Sequence, residues 1–152
     1  MKNLIETILL KGKKTLISGV ASGIGRAISY RFAEAGSDLM LLDIDEKGLN
    51  TTKELLNIFE CDKQTFKIDL SKKEEIDLFW ENIGENLPDI LINNAGIYPF
   101  KDYLQVDENF YAKTLEINLE GTGPRQKKCK LHQKSLVYYK FILFGKCITS
   151  FK

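Results

Sequence analysis

Ser18-Gly19-Val20-Ala21-Ser22-Gly23-Ile24-Gly25 places three glycines within seven positions, between a short apolar run, Thr15 to Ser18, and a segment of helical periodicity. A strand that empties through glycines into a helix leaves the first N–H groups of that helix without partners and turns its positive end outward. Such a turn is an anion seat, and phosphate is its usual occupant. Glycine suits it because a side chain would strike the ligand or hold helix and strand apart. The spacing is Gly-x-x-x-Gly-x-Gly. Taken alone, the cluster also reads as an ordinary tight turn, and the surroundings must decide between the two.

From Lys14 to Gly121 strands and helices alternate with short links, a pattern that predicts right-handed βαβ units around a parallel sheet. The helix after the turn carries Ile24, Ala27, Ile28 and Phe32 on one face and closes at Gly36. The second strand, Leu39 to Leu42, is apolar throughout, as a strand covered on both faces must be. A helix from about Glu46 to Phe59 turns Leu49, Leu55, Leu56 and Phe59 inward, with Gly48 as a weak point. The third strand runs near Thr65 to Ile68. Ser71 and Glu74 have capping-box spacing and start a helix carrying Ile76, Phe79, Trp80 and Ile83, which Pro88 stops. Strand four, Asp89 to Ile92, leads into Asn93-Asn94-Ala95-Gly96, and a helix follows from about Asp107 to Leu119.

Asp43 ends the second strand 18 residues after Gly25. An acid at that place accepts hydrogen bonds from the ribose hydroxyls of a dinucleotide's adenosine half. A 2′-phosphate would meet the carboxylate at short range, so NAD is favoured over NADP. The plainer reading of Asp43 is a helix-start residue ahead of Asp45 and Glu46.

These motifs together resemble the short-chain dehydrogenase/reductase family over roughly residues 11 to 121. The resemblance is carried by Ser18-Gly19-x-x-x-Gly23-Ile24-Gly25, Asp69-Leu70, Asn93-Asn94-Ala95-Gly96 and Asn118 within Ile117-Asn118-Leu119. It implies a Rossmann-like doubly wound α/β sheet, cut short after the fourth strand and its helix. It also implies that Gly19, Ser22, Gly23, Ile24 and Gly25 line the cofactor phosphates, with Ser18 in place of the family's usual threonine. Asp69 and Leu70 would contact the adenine, and Asn93, Ala95 and Gly96 would line the site beside strand four, where Asn93 and Asn94 help to hold the sheet. Asn118 resembles the active-site asparagine that orients a water in a proton relay. Read without the family, Asn93 and Asn94 are a polar strand end, and Asn118 is a helix cap.

The family's chemistry also needs a tyrosine with a lysine four residues later, which lowers a phenol pKa that is otherwise near ~10. The six tyrosines are Tyr30, Tyr98, Tyr103, Tyr111, Tyr138 and Tyr139, followed at that distance by Glu34, Asp102, Asp107, Leu115, Ile142 and Leu143. None is lysine. The catalytic serine of the fifth strand has no counterpart either, and Tyr138-Tyr139-Lys140 brings no pair together because adjacent side chains point apart.

Charge marks where the resemblance stops. Residues 1–121 hold 14 Lys and Arg against 21 Asp and Glu, whereas residues 122–152 hold eight bases and no acid. The expected division is therefore an NAD-binding portion, 1–121, and a basic tail, 122–152, whose abrupt change of composition is what a shifted reading frame produces. A Tyr-x-x-x-Lys segment in another frame of the coding DNA would bear that out. An apolar fourth strand without its fifth neighbour invites self-association and low solubility, unless Leu136 to Phe144 supplies a substitute. Three cysteines without metal-ligand spacing, and no secretory leader, point to a cytoplasmic protein that needs no metal. Leu4 to Leu10 is too short to span a bilayer. The resemblance implies a small alcohol or ketone as the substrate of the intact family form; binding of nucleic acid by the basic run is the weaker reading, since such runs are usually only solvated.

Overall fold

A computed structural model describes residues 9–97, 107–118 and the backbone of 137–140, with the side chains of Lys113 and Glu116 outside the description. Strand β1 (Lys14–Ser18) leads through the glycine turn to α1 (Gly23–Glu34), and β2 (Asp38–Asp43) leads to α2 (Glu46–Leu55), which tightens into a 3₁₀ turn at Leu56–Ile58. Then come β3 (Lys63–Lys67), α3 (Lys73–Ile83), β4 (Ile90–Asn93), α4 (Glu108–Asn118) and β5 (Val137–Lys140). The sheet order is β3-β2-β1-β4-β5. Every pairing is parallel, from Ser18 opposite Leu42 to Ile17 opposite Ile92.

Alternation along the strands sends side chains to two separate cores, as a doubly covered sheet requires. Leu16, Met40, Leu42 and Leu91 meet Ile76, Phe79, Trp80 and Ile83 of α3 on one face. Ile17, Leu39, Leu41, Ile90 and Ile92 meet Ala33 of α1, Leu49 of α2 and Leu56 on the other. The expected doubly wound α/β sheet is the observed one.

Four local expectations need correction. The buried face of α1 is Gly25, Ser29 and Ala33 rather than the large apolar set; Ile24 is 46% exposed and Ala27 is exposed. Helix and sheet approach too closely at Gly25 for bulk, so small residues face inward, with Ile28 and Phe32 flanking. On α2, Leu55 is turned to solvent because the 3₁₀ turn changes the phase just before Leu56. The capping box does not form: α3 begins at Lys73 with no side-chain cap, and Ser71 gives both its N–H and its hydroxyl to Asp69 Oδ1 at 2.9 and 2.7 Å. A carboxylate is the stronger acceptor and keeps Ser71 from the helix. That helix is ended by Gly84 at φ 52°, four residues before Pro88.

The edge of β4 is also different from what a four-stranded sheet would present. Val137–Lys140, within the expected Leu136 to Phe144 segment, pairs with it in register from Ile90 opposite Val137 to Asn93 opposite Lys140. The strand edge left bare on this side, among the described residues, belongs to β5. The rest of that segment, the basic run, Tyr98, Tyr103, Cys129 and Cys147 lie outside the described residues.

Candidate nucleotide site

The order of strands reverses between β1 and β4: the chain grows outward from β1 on one side, then crosses to the other. Crevices for ligands open at such reversals, beyond the carboxyl ends of the strands. Here a groove of about 970 Å³ opens there, at the upper end of the range of roughly 300–1,000 Å³ usual for small-molecule sites.

Its floor is the glycine turn. Gly19 N–H donates to Leu42 O at 2.8 Å, carrying the β1–β2 ladder one residue past the strand. Gly19 has φ 73°, and a Cβ on it would lie 2.7 Å from Ala95 Cα, so both conformation and space demand glycine. Gly25 is held by space alone: its Cβ would stand 1.9 Å from Gly19 O and 2.6 Å from Asn94 Nδ2. Gly23 differs again, with φ 52° and nothing within 4 Å, so a side chain there would project into open space. The first turn of α1 carries no acid, and Ser22 makes no capping bond. By contrast α2 fills its own N-terminus, Asp45 Oδ1 accepting from Gly48 N at 3.1 Å.

Asp43 ends β2 at the rim of the groove. Its Oδ2 accepts from Ala21 N at 2.8 Å and its Oδ1 from Asp45 N at 3.0 Å, so the carboxylate is fixed in place beside the turn. Asp45, not Asp43, caps α2. Farther along, Asp69 N–H donates to Glu75 Oε2 at 2.8 Å. Glu75 is held below the ordinary carboxyl range, first by the hydrogen bond from Lys72 and then by this backbone bond.

The far wall is the segment after β4. Ser18 Oγ accepts from Asn94 N at 3.2 Å and Ala95 N at 3.1 Å, while Asn94 Nδ2 donates to Ser18 O and Gly19 O, both at 3.0 Å. The hydroxyl of Ser18 is thereby used to join β1 to the turn after β4. Asn118 holds the next residue with both ends of its amide: Oδ1 accepts from Ile97 N and Nδ2 donates to Ile97 O, each at 2.8 Å.

The groove brings together Gly19, Ser22, Gly23, Ile24, Gly25, Asp43, Asp69, Leu70, Ala95 and Gly96 of the expected site. Ser18 lies buried beneath it. Asn93 points to the α3 face, beside a small apolar space lined by Trp80 and Leu91, and its Nδ2 is buried without a partner. Asn118 stands one layer behind, gripping Ile97, which lines the groove with Ile44 and Ile117. Ile24, expected on the inward face of α1, is exposed at the groove together with Ile44, which is 58% exposed.

Three contributors were not evident from the sequence: Gly48, Thr52 and Arg26. A Cβ on Gly48 would stand 2.5 Å from Ala21 Cβ and 3.0 Å from Ala21 O. This glycine is therefore a packing requirement of the glycine turn after β1, and a glycine in the first turn of a helix was the signal available. Gly48→Ala is expected to lose about 1–2 kcal/mol by urea unfolding, because overpacking of roughly 1–3 kcal/mol outweighs the helix-propensity gain of up to ~1.

Among the described residues no group of His, Cys, Asp and Glu is arranged to hold a metal, and no helix is long and apolar enough to cross a membrane.

Comparison with known proteins agrees with this geometry. A family model described as short chain dehydrogenase matches residues 13–124. The chain is 31% identical over 127 residues to estradiol 17-beta-dehydrogenase 11 of Mus musculus, covering 78% of this chain and 43% of that protein. It is 33% identical over 112 residues to an NAD-dependent glycerol dehydrogenase of Listeria innocua, covering 72% and 43%. Among solved structures, a short-chain type dehydrogenase/reductase from Mycobacterium marinum superposes with TM-score 0.77 at 20% identity, covering 84% of this chain and 53% of that one. L-sorbose reductase from Gluconobacter frateurii, solved with NADPH and L-sorbose, gives 0.74 at 23% identity, covering 80% and 48%. The chain thus spans about half the length of the proteins it matches.

Proposed function

Because the chain belongs to the short-chain dehydrogenase family, we propose that it is the NAD(H)-binding portion of an oxidoreductase that interconverts a small alcohol and a ketone, and that these 152 residues bind the cofactor without turnover. The observation that carries the first part is the uncapped N-terminus of α1 facing a groove that also holds a fixed carboxylate. Gly19, Ser22, Gly23, Ile24 and Gly25 would hold the pyrophosphate, Asp43 the adenosine ribose, Asp69 and Leu70 the adenine. Ala95 and Gly96 would run beside the nicotinamide half, with Asn93 supporting the strand end from beneath. Bound there, the nicotinamide would supply hydride transfer.

The groove's charge supports NAD over NADP. Among the described residues Asp43, Asp45 and Asp69 line it, and no Lys or Arg does. A 2′-phosphate would bring up to two further negative charges toward carboxylates that no cation of the described lining offsets. The second part of the proposal rests on the missing Tyr-x-x-x-Lys pair. Asn118 spends both ends of its side-chain amide on Ile97, so its contribution to a proton relay would run through the backbone it positions. The portion 1–121 carries the site in this reading, 122–152 adds β5 to its sheet, and a cytoplasmic setting suits it.

Calorimetric titration of the full chain tests this. NAD is expected to bind saturably, NADP at least about tenfold more weakly, a difference of about 1.4 kcal/mol. No alcohol-dependent NADH formation should accompany it. Equal affinity for the two cofactors would refute the assignment to Asp43, absence of binding would refute the site, and steady turnover would refute the defect.

A further inference from the structure

Arg26 and Thr52 lie outside the groove, yet both take hold of the turn that forms its floor. Thr52 is fully buried in α2. Its hydroxyl donates to Val20 O at 2.8 Å and accepts from Arg26 Nε at 2.9 Å. Arg26 Nη2 donates in turn to Ala21 O. Two successive carbonyls of the turn are thus tied back to side chains of α1 and α2, and Ala21 N is tied to Asp43.

The consequence follows from peptide geometry. In a planar trans peptide the C=O and the following N–H point in opposite directions, and no peptide in the described residues is cis. Holding Ala21 O toward Arg26 therefore aims the N–H of Ser22, a groove residue, the opposite way. A carbonyl turned into the groove would instead set an acceptor oxygen against an anion. We propose that Arg26 and Thr52 are positioning residues which, through the Val20 and Ala21 carbonyls, set the phosphate-binding conformation of the turn. This rests on the nucleotide reading above, and it assigns to α2 a part in the site that its own capped N-terminus would not suggest.

Phosphate recognition can be separated from adenosine recognition by comparing ADP with adenosine on the full chain. Thr52→Val keeps the buried shape and removes both hydrogen bonds. ADP affinity is expected to fall about tenfold while adenosine affinity stays within about twofold, and Thr52→Ser should restore ADP binding. A purely structural role would lower both ligands together. Should Thr52→Val not fold, Arg26→Leu carries the same comparison, with the thermal melt recorded alongside. Unchanged ADP affinity, or a parallel loss of ADP and adenosine, overturns the clamp while leaving the nucleotide site standing. A wild-type chain that binds neither ligand overturns the site itself, and the clamp with it.

Discussion

Gly25→Ala is expected to cost at least about 3 kcal/mol of stability and to remove measurable nucleotide binding. The added methyl would lie 1.9 Å from Gly19 O and 2.7 Å from Gly19 C, both backbone atoms that cannot swing aside as a side chain would. Ordinary overpacking costs roughly 1–3 kcal/mol, and this contact lies at the severe end. Relief requires α1 to retreat from β1 or the Gly19 peptide to rotate, and either motion spoils the turn. For a chain of this size each kcal/mol lowers the melting temperature by about 2–4 °C, so a fall of roughly 6–12 °C is expected by calorimetry. Gly23→Ala is the internal control. It meets no atom within 4 Å, so its cost is confined to a left-handed backbone, roughly 1–2 kcal/mol. A Gly25→Ala protein that melts with the wild type would mean that helix and strand are farther apart than described.

Asn94→Leu is expected to cost a further large amount, about 2–5 kcal/mol, for a different reason. Leucine keeps the volume but removes the donors to Ser18 O and Gly19 O. Each carbonyl left unpaired in a buried place costs about 1–3 kcal/mol. The loss should appear as a lower midpoint in urea, and because the bonds join β1 to the segment after β4, nucleotide affinity should fall with it. A change under about 0.5 kcal/mol would show that the backbone bonds from Asn94 and Ala95 to Ser18 Oγ hold that junction without the side chain.

Both predictions converge on Gly19 O, which accepts from Asn94 and stands against Gly25. That convergence explains why the site was partly legible in the sequence. Gly19, Gly25 and Asn94 are short-range demands written as residue types, and a glycine turn between strand and helix, followed by an acid at the next strand end, has few other uses. The parallel sheet was legible as well, since apolar strands alternating with helices demand right-handed crossovers. The inward face of α1 was not, because helical periodicity weighs large apolar residues and the close approach at Gly25 selects small ones. Gly48 reads in sequence as a weak point of its helix, whereas its neighbour across space, Ala21, is the reason for it. Ser71 is drawn to the Asp69 carboxylate and leaves α3 uncapped, and Gly84 ends that helix before Pro88 is reached, since local signals compete and the stronger acceptor or the freer backbone prevails. Arg26 and Thr52 carry no local signal at all; only the fold brings Thr52 to a turn more than 30 positions earlier.

The two helices that follow β1 and β2 differ at their starts: α2 carries its own carboxylate cap in Asp45, while α1 has neither an acid in its first turn nor a side-chain cap. On the proposed reading, receptivity arises by subtraction: without a capping acid or side chains in the turn, the first N–H groups of α1 are left for an anion. Ser22→Asp would set a carboxylate at that N-cap, and the same calorimetric titration is expected to show nucleotide binding lost.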